Sequence, residues 1–169
     1  MATVKLQLWP GEVVMPSSNA PQVVYRAGTN FSREALAFDG AVDETCYFQF
    51  DAENYGSGNL TLRIRWTVPT GTTSGDVKFS AALAAITPDT DSTDIETKAF
   101  ATATTVVDSH LGTTARREMT TTITISNLDS LAASDHCVLK FSRLGSDVLD
   151  TINAVDVLVE SLLLSYSDT

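Results

Sequence analysis

A proton shuttle near neutral pH would fall to His110 or His136, the two histidines of the chain. Serine-histidine-aspartate chemistry needs three groups brought together in space, and no spacing here marks such a set. Both histidines therefore read as structural or solvated. His136 and Cys137 are neighbours in an alternating stretch, so their side chains point to opposite faces and do not close around one metal; zinc is not expected. Asp89, Asp91 and Asp94 carry oxygens of the kind calcium takes, but 89–94 lacks the glycine and the terminal glutamate of an EF-hand loop and reads as a solvated acidic loop. Asp39, Asp43 and Glu44 add further carboxylates. A hydrolytic pair must sit about 5 to 10 Å apart, a separation that the fold sets and the spacing does not. Gly56, Ser57 and Gly58 are followed by no lysine with serine or threonine, so no loop cradles phosphate. The expectation is no catalytic residue, no cofactor and no metal.

Residues suited to binding are easier to find. Arg63, Arg65, Arg116 and Arg117 are four of the seven arginines, placed on expected strands of an acidic protein, where a guanidinium pairs with carboxylates of its own chain or of a partner. Leu6, Leu8, Trp9, Tyr25 and Phe31 lie in the least regular stretch; an exposed aromatic there either anchors a partner surface or caps the end of the fold. Leu6, Leu8, Trp9, Tyr25, Arg63, Arg65, Arg116 and Arg117 make up the expected partner interface.

The elements that must position these residues follow from composition and period. The 169 residues are 43% hydrophobic, enough for one core. Twenty-three threonines and sixteen serines against four lysines suit pleated, half-solvated strands. Eleven lysines and arginines against 21 aspartates and glutamates leave a net charge of −10, which repels phosphate backbones and anionic lipid; neither nucleic acid nor membrane is an expected partner. The longest apolar run, Ala81 to Ile86, is far short of the roughly 20 residues of a bilayer span. Met1 to Pro10 has no apolar stretch ahead of a small-residue cleavage site, so synthesis in a cytoplasm is expected. Cys46 and Cys137, 91 residues apart, read as two small buried hydrophobes and not as a disulfide scaffold.

From Leu36 onward the period is two. Leu60, Leu62, Ile64, Trp66 and Val68 share one face of a strand, and Thr61, Arg63, Arg65 and Thr67 share the other. Further strands are expected at Glu44–Phe50, Asp76–Ile86, Lys98–Val107, Ala115–Ser126, Cys137–Leu144 and Val155–Tyr166, with a weaker one near Gln22–Arg26 or Glu34–Phe38 and one helical turn at Leu128–Ala133. The fold class is therefore all-β: an antiparallel jelly-roll β-sandwich of about eight strands with an irregular N-terminal arm. The rival is an immunoglobulin-like sandwich, whose Cys, Trp, Cys pattern is loosely mimicked by Cys46, Trp66 and Cys137. Pro10, Pro16 and Pro21 interrupt pairing early on, so residues 1–33 read as an arm or edge and 34–169 as the sandwich domain. Deleting residues 1–21 is expected to leave the sandwich folded.

Two blocks carry a resemblance. The first runs from Leu36 through Asp39, Asp43, Glu44, Tyr47 and Phe48 to Tyr55, Gly58, Leu62, Trp66 and Asp76. The second runs from Leu128 and Asp135 through Phe141, Arg143, Gly145, Asp147 and Asp150 to Val155–Tyr166. In order and spacing both blocks resemble small jelly-roll structural proteins of tailed bacteriophages. The resemblance implies a virion structural protein: a capsid decoration (cement) protein that stabilises the shell as a homotrimer, with the major capsid protein and itself as partners. It would sit on the capsid surface after synthesis in the host cytoplasm. The same kind of sandwich occurs in tail fibres, spikes and carbohydrate-binding modules, which gives the alternative: recognition of the host surface. An aromatic content of 8% and an inward Trp66 weigh against the glycan reading. No catalytic residues come with the resemblance, His136 and Cys137 depart from it, and residues 1–35 lie outside it.

Overall fold

The alternation in 60–68 decides the core. In the computed structural model Leu60, Leu62, Ile64, Trp66 and Val68 are wholly buried, and Arg63 and Arg65 are exposed. The structure describes residues 2–69, 74–112, 114 and 116–168. Ten strands follow along the chain: β1 (Thr3–Leu8), β2 (Gln22–Ala27), β3 (Ser32–Phe38), β4 (Asp43–Asp51), β5 (Leu60–Thr67), β6 (Asp76–Ile86), β7 (Thr104–Ser109), β8 (Met119–Ile125), β9 (His136–Leu144) and β10 (Val157–Ser167). They form two antiparallel sheets packed as the expected jelly-roll sandwich. One sheet has the order β2-β3-β10-β5-β8, with β1 also on β10; the other has the order β4-β9-β6-β7.

Inward side chains of the two sheets interlock. Phe79 of the four-stranded sheet lies 6.1 Å from Trp66 and 5.5 Å from Phe141, and Phe38 meets Phe141 edge-on at 5.5 Å. The Trp66 Nε1–H donates to Thr121 Oγ1 at 2.7 Å, so the buried indole keeps its hydrogen bond. Between the sheets also lies a charge that the alternation gives no hint of. Arg143 of β9 is fully buried, its Nε and Nη2 donating to the two carboxylate oxygens of Asp150 at 3.0 and 2.8 Å. Its Nη1 donates to the carbonyls of Phe38 and Val155, and Nη2 also to that of Ile152. The guanidinium thus stitches the 145–156 loop to the end of β3, its donors satisfied as burial demands.

Several expectations need correction. Two strands, β1 and β2, lie inside the stretch read as an irregular arm. β1 pairs residue for residue with the far half of β10, Thr3 opposite Ser167 through Leu8 opposite Leu162, because Val4, Leu6 and Leu8 alternate as an inward row. Deleting residues 1–21 would strip that ladder and expose core. Gln22–Arg26 and Glu34–Phe38 are not alternatives: β2 and β3 pair with each other as a hairpin. The strand expected over Lys98–Val107 begins only at Thr104. The strand expected from Ala115 begins at Met119; Ala115 itself, Met1 and residues 70–73 of the Pro69–Gly75 turn lie outside the described residues. Leu128–Ala133 holds turns and no helix, since Asp129 and Ser130 sit at φ of 55° and 63°; among the described residues the helical turn is the short 3-10 piece Pro10–Glu12. The immunoglobulin-like pattern fails: Cys46 and Cys137 are free, buried, and on adjacent strands of one sheet, where Cys46 faces Phe141 and Cys137 faces Phe50 in register. Burial pushes the Cys137 thiol up to about 12 and raises the Cys46 thiol too.

Candidate functional site

The outward face of the four-stranded sheet forms a trough. Its floor is set by register: Thr45 of β4 lies opposite Ser142 of β9, which lies opposite Ser80 of β6, and in the next row Tyr47, Lys140 and Ala82 line up. Small side chains leave the floor low. The walls are irregular chain held by backbone bonds. Val14 and Tyr47 exchange N–H to carbonyl bonds at 2.9 Å and the Thr45 N–H reaches the Asn19 carbonyl at 2.8 Å, so residues 14–19 run along the outer edge of β4. On the other side the Ala101 N–H donates to the Leu83 carbonyl at 2.9 Å. Nearby, the Lys98 ammonium pairs with Asp129 at 3.0 Å, and Asp129 also accepts the Ala85 N–H.

Across this trough Tyr47 and Phe100 stack at 5.8 Å with their planes 17° apart, and the Lys140 ammonium lies 5.9 Å from the Phe100 ring centre. Both rings line the polar side of the groove, about 650 Å³ and edged by Asn19, Thr45 and Ser142, and also a smaller, more apolar hollow of about 240 Å³ lined by Val14, Ile95 and Val138. The Thr45 and Ser142 hydroxyls lie 2.8 Å apart. The arrangement offers flat apolar faces, hydroxyls that both donate and accept, and charged groups of both signs, Lys98 and Lys140 with Asp43 and Glu96: the complement of a ligand with apolar C–H faces and a rim of hydroxyls.

The residues singled out from the sequence fall elsewhere. Leu8 is buried in the core and Leu6 is half-buried against it, so neither is a free interface residue; their alternation in β1 takes them inward. Arg63 is exposed on the outer face of β5, opposite Thr122. Arg117 is exposed in the loop before β8. The structure does bring others together on the six-stranded sheet. Trp9 and Arg65 line one hollow of about 290 Å³ with Arg33, Glu118 and Glu160; Arg65 and Glu118 approach to 3.8 Å. Tyr25 and Arg116 line a neighbouring cleft of about 580 Å³ with Arg26, Phe31 and Arg33. Arg33, common to both, pairs with Glu160, which also accepts from the Thr67 hydroxyl; a register shift in β10 between Val159 and Ser161 leaves Glu160 out of the β5 ladder.

The histidines and acids have local roles. His110 is buried edge-on to Trp66 at 6.1 Å, its Nδ1 accepting the Gly112 N–H at 3.1 Å. His136 pairs with Asp51 across β9 and β4. Asp91 and Asp94 accept the N–H groups of Thr87 and Glu96, holding their own loop. Sequence reasoning missed the trough. The signal for Tyr47 was present, since it is an aromatic at the same parity as Thr45 and Gln49 in a strand whose other face is Cys46 and Phe48.

No protein-family model matches the chain, and no curated protein matches it. Solved structures of similar fold exist. A xylan-binding module, CBM15, superposes with a TM-score of 0.54 at 11% identity over 99% of both chains. A family 35 carbohydrate-binding module from an environmental isolate gives 0.53 at 11% identity over 97% of this chain and 98% of the other. An isomalto-dextranase from Arthrobacter globiformis T6 gives 0.52 at 13% identity, with this chain spanning 23% of the enzyme. These likenesses establish the jelly-roll sandwich.

Proposed function

We propose that the protein is a non-catalytic recognition module that holds a saccharide in the trough of the four-stranded sheet. The observation that carries this reading is the stacked Tyr47–Phe100 pair set beside the Thr45, Ser142 and Ser80 hydroxyls and the Lys140 ammonium. Sugar rings present C–H faces to aromatic rings and hydroxyls to their edges, and the trough supplies partners for both. The aromatics that do this work are few, so an overall aromatic content of 8% is no obstacle. Likeness in fold to modules named for carbohydrate binding supports the reading. The test is affinity electrophoresis against a panel of neutral polysaccharides, followed by the Tyr47→Ala and Phe100→Ala variants. Retardation by at least one polysaccharide, lost in both variants while they stay folded, is the expected result. Unchanged retardation in both variants would refute the trough.

The virion setting comes from the sequence resemblance, and within it the trough favours host-surface recognition over shell decoration. A decoration protein, trimeric on the major capsid protein, instead needs a face that buries on protein. Adjacent Val148 and Leu149, exposed at 90% and 52% in one loop, are the observation on that side. Copy number per purified virion separates the two: a few to a few dozen for a tail-borne recognition protein, hundreds for a decoration protein.

A further inference from the structure

We propose that the cleft at the β2–β3 turn is a second binding site, one for a saccharide bearing carboxylate or sulfate groups. The proposal rests on the reading of the protein as a saccharide binder but uses none of the trough's residues. The charge distribution is the first observation. On a chain with 21 acidic and 11 basic residues, this cleft is lined by Arg26, Arg33 and Arg116 and, among the described residues, by no aspartate or glutamate; Glu160, paired with Arg33, answers from the adjoining hollow. Arg26 and Arg33 are also register partners on β2 and β3, and like charges directly opposite on a sheet repel. Glu160 answers Arg33, and a bound anion would supply the counter-charge at Arg26 and Arg116 in the fork geometry that guanidinium offers to carboxylate and sulfate. Arg116 donates its Nε to the Pro69 carbonyl at 2.8 Å, a bond that positions the side chain at the cleft.

The second observation is aromatic. Tyr25 and Phe31 line the same cleft at 78% and 69% exposure, large rings without the cover such side chains usually obtain. Tyr25 and Arg26 are consecutive on β2 and point to opposite faces, so Phe31 is the ring that the turn adds to the arginines, and an exposed ring with guanidinium forks suits a sugar that presents an apolar C–H face and an anionic group. The turn that carries Phe31 is fixed: the Gly28 N–H donates to the Phe31 carbonyl at 3.0 Å, and a Cβ on Gly28 would lie 2.5 Å from that oxygen. The volume, about 580 Å³, falls within the range of small-ligand sites, roughly 300–1,000 Å³. The net charge of −10 does not defeat this local field, because at physiological salt charges beyond about 8 Å are screened.

The test measures binding of the full chain to polygalacturonate and dextran sulfate, with neutral dextran and polyglutamate as comparisons, by calorimetry and affinity electrophoresis. The Arg26→Gln/Arg116→Gln variant is expected to lose at least about tenfold in affinity for the anionic polysaccharides, and Arg26→Lys/Arg116→Lys to lose less, since charge remains without the fork. Arg63→Gln, at an exposed arginine of β5 outside both hollows, should leave this binding unchanged. Wild-type binding that survives the glutamine variant, or an absence of binding to both anionic polysaccharides, overturns the proposal. Equal affinity for polyglutamate overturns the saccharide class in favour of an acidic protein partner. Anionic binding that depends on Arg26 and Arg116, in a protein that binds no neutral polysaccharide, would remove the trough reading and leave the cleft standing. Melting curves of each variant confirm the fold.

Discussion

The trough and the arginine cleft are two hollows of one sandwich, built in opposite ways. Every floor residue of the trough alternates with a core residue: Thr45 and Tyr47 with Cys46 and Phe48, Lys140 and Ser142 with Leu139, Phe141 and Arg143. Its geometry is inherited from three hydrogen-bonded strands and the packed layer beneath them. The cleft borrows from an edge. Among the described residues β2 pairs only with β3, and Phe31 and Arg116 are held by local contacts, the tight approach at Gly28 and the Pro69 carbonyl. A sheet face therefore holds its groups at fixed spacing, whereas an edge hairpin holds them through local contacts that can be altered without disturbing the core.

That contrast can be broken or sharpened in order of effect. Replacing Arg143 with alanine leaves Asp150 buried without its partner, and a loss of about 3–5 kcal/mol is expected in urea denaturation. Trough binding should fall with the fold as temperature rises; a change under about 1 kcal/mol would show that the trough does not depend on this layer. Trp66→Ala removes the largest buried side chain and its bond to Thr121, at an expected 3–5 kcal/mol, roughly. Tyr47→Ala gives up a stacked pair worth about 0.5–1.5 kcal/mol beyond its buried area, and should abolish trough binding while cleft binding persists. Gly28→Ala forces the turn open against the Phe31 carbonyl, for about 1 kcal/mol or more in stability. It should weaken binding at the cleft and leave the trough intact, and equal loss at both sites would dissolve the distinction.

The smallest effect is a pH dependence at the end of the four-stranded sheet. The Lys78 ammonium, hydrogen-bonded to Asp147, and the Leu149 N–H hold the Asp147 carboxyl below its usual range. A carboxyl lowered in the folded state stabilises above its unfolded value, near 3.9, and that stabilisation is lost as pH falls through the lowered folded value. Acid unfolding below about pH 4 should therefore be shallower in Lys78→Met than in the unaltered chain.

How much of this was legible depended on whether a residue's role is set by its parity or by its distant partner. The alternation of 60–68 placed Trp66 inside without ambiguity, and the strands at Asp76–Ile86 and Cys137–Leu144 follow the same signal. Val4, Leu6 and Leu8 alternate as well, but Trp9 and Pro10 end the run early, and the strand that receives them lies more than 150 residues away. Arg143 sits at an inward parity that reads as an error for a charge until the turn after β9 brings Asp150 back to it. The cleft was half visible: Tyr25 and Arg116 were singled out, but Arg26 and Arg33 become neighbours only through the register of a hairpin whose two strands looked like alternatives. Phe100 was hidden because 98–103 suggested a strand where the chain forms a wall.

β10 has a kinetic consequence. It follows the other nine described strands along the chain and receives three of them, β1 and β3 along one edge and β5 along the other. The six-stranded sheet cannot close until it arrives, and each pairing spans more than 90 residues of chain, so folding is dominated by long loop closures and belongs among slow, millisecond-to-second reactions. While β10 is still missing, the β1 and β3 edges that it will cover stay open, and that interval is when the nascent chain is most exposed to pairing with a neighbour.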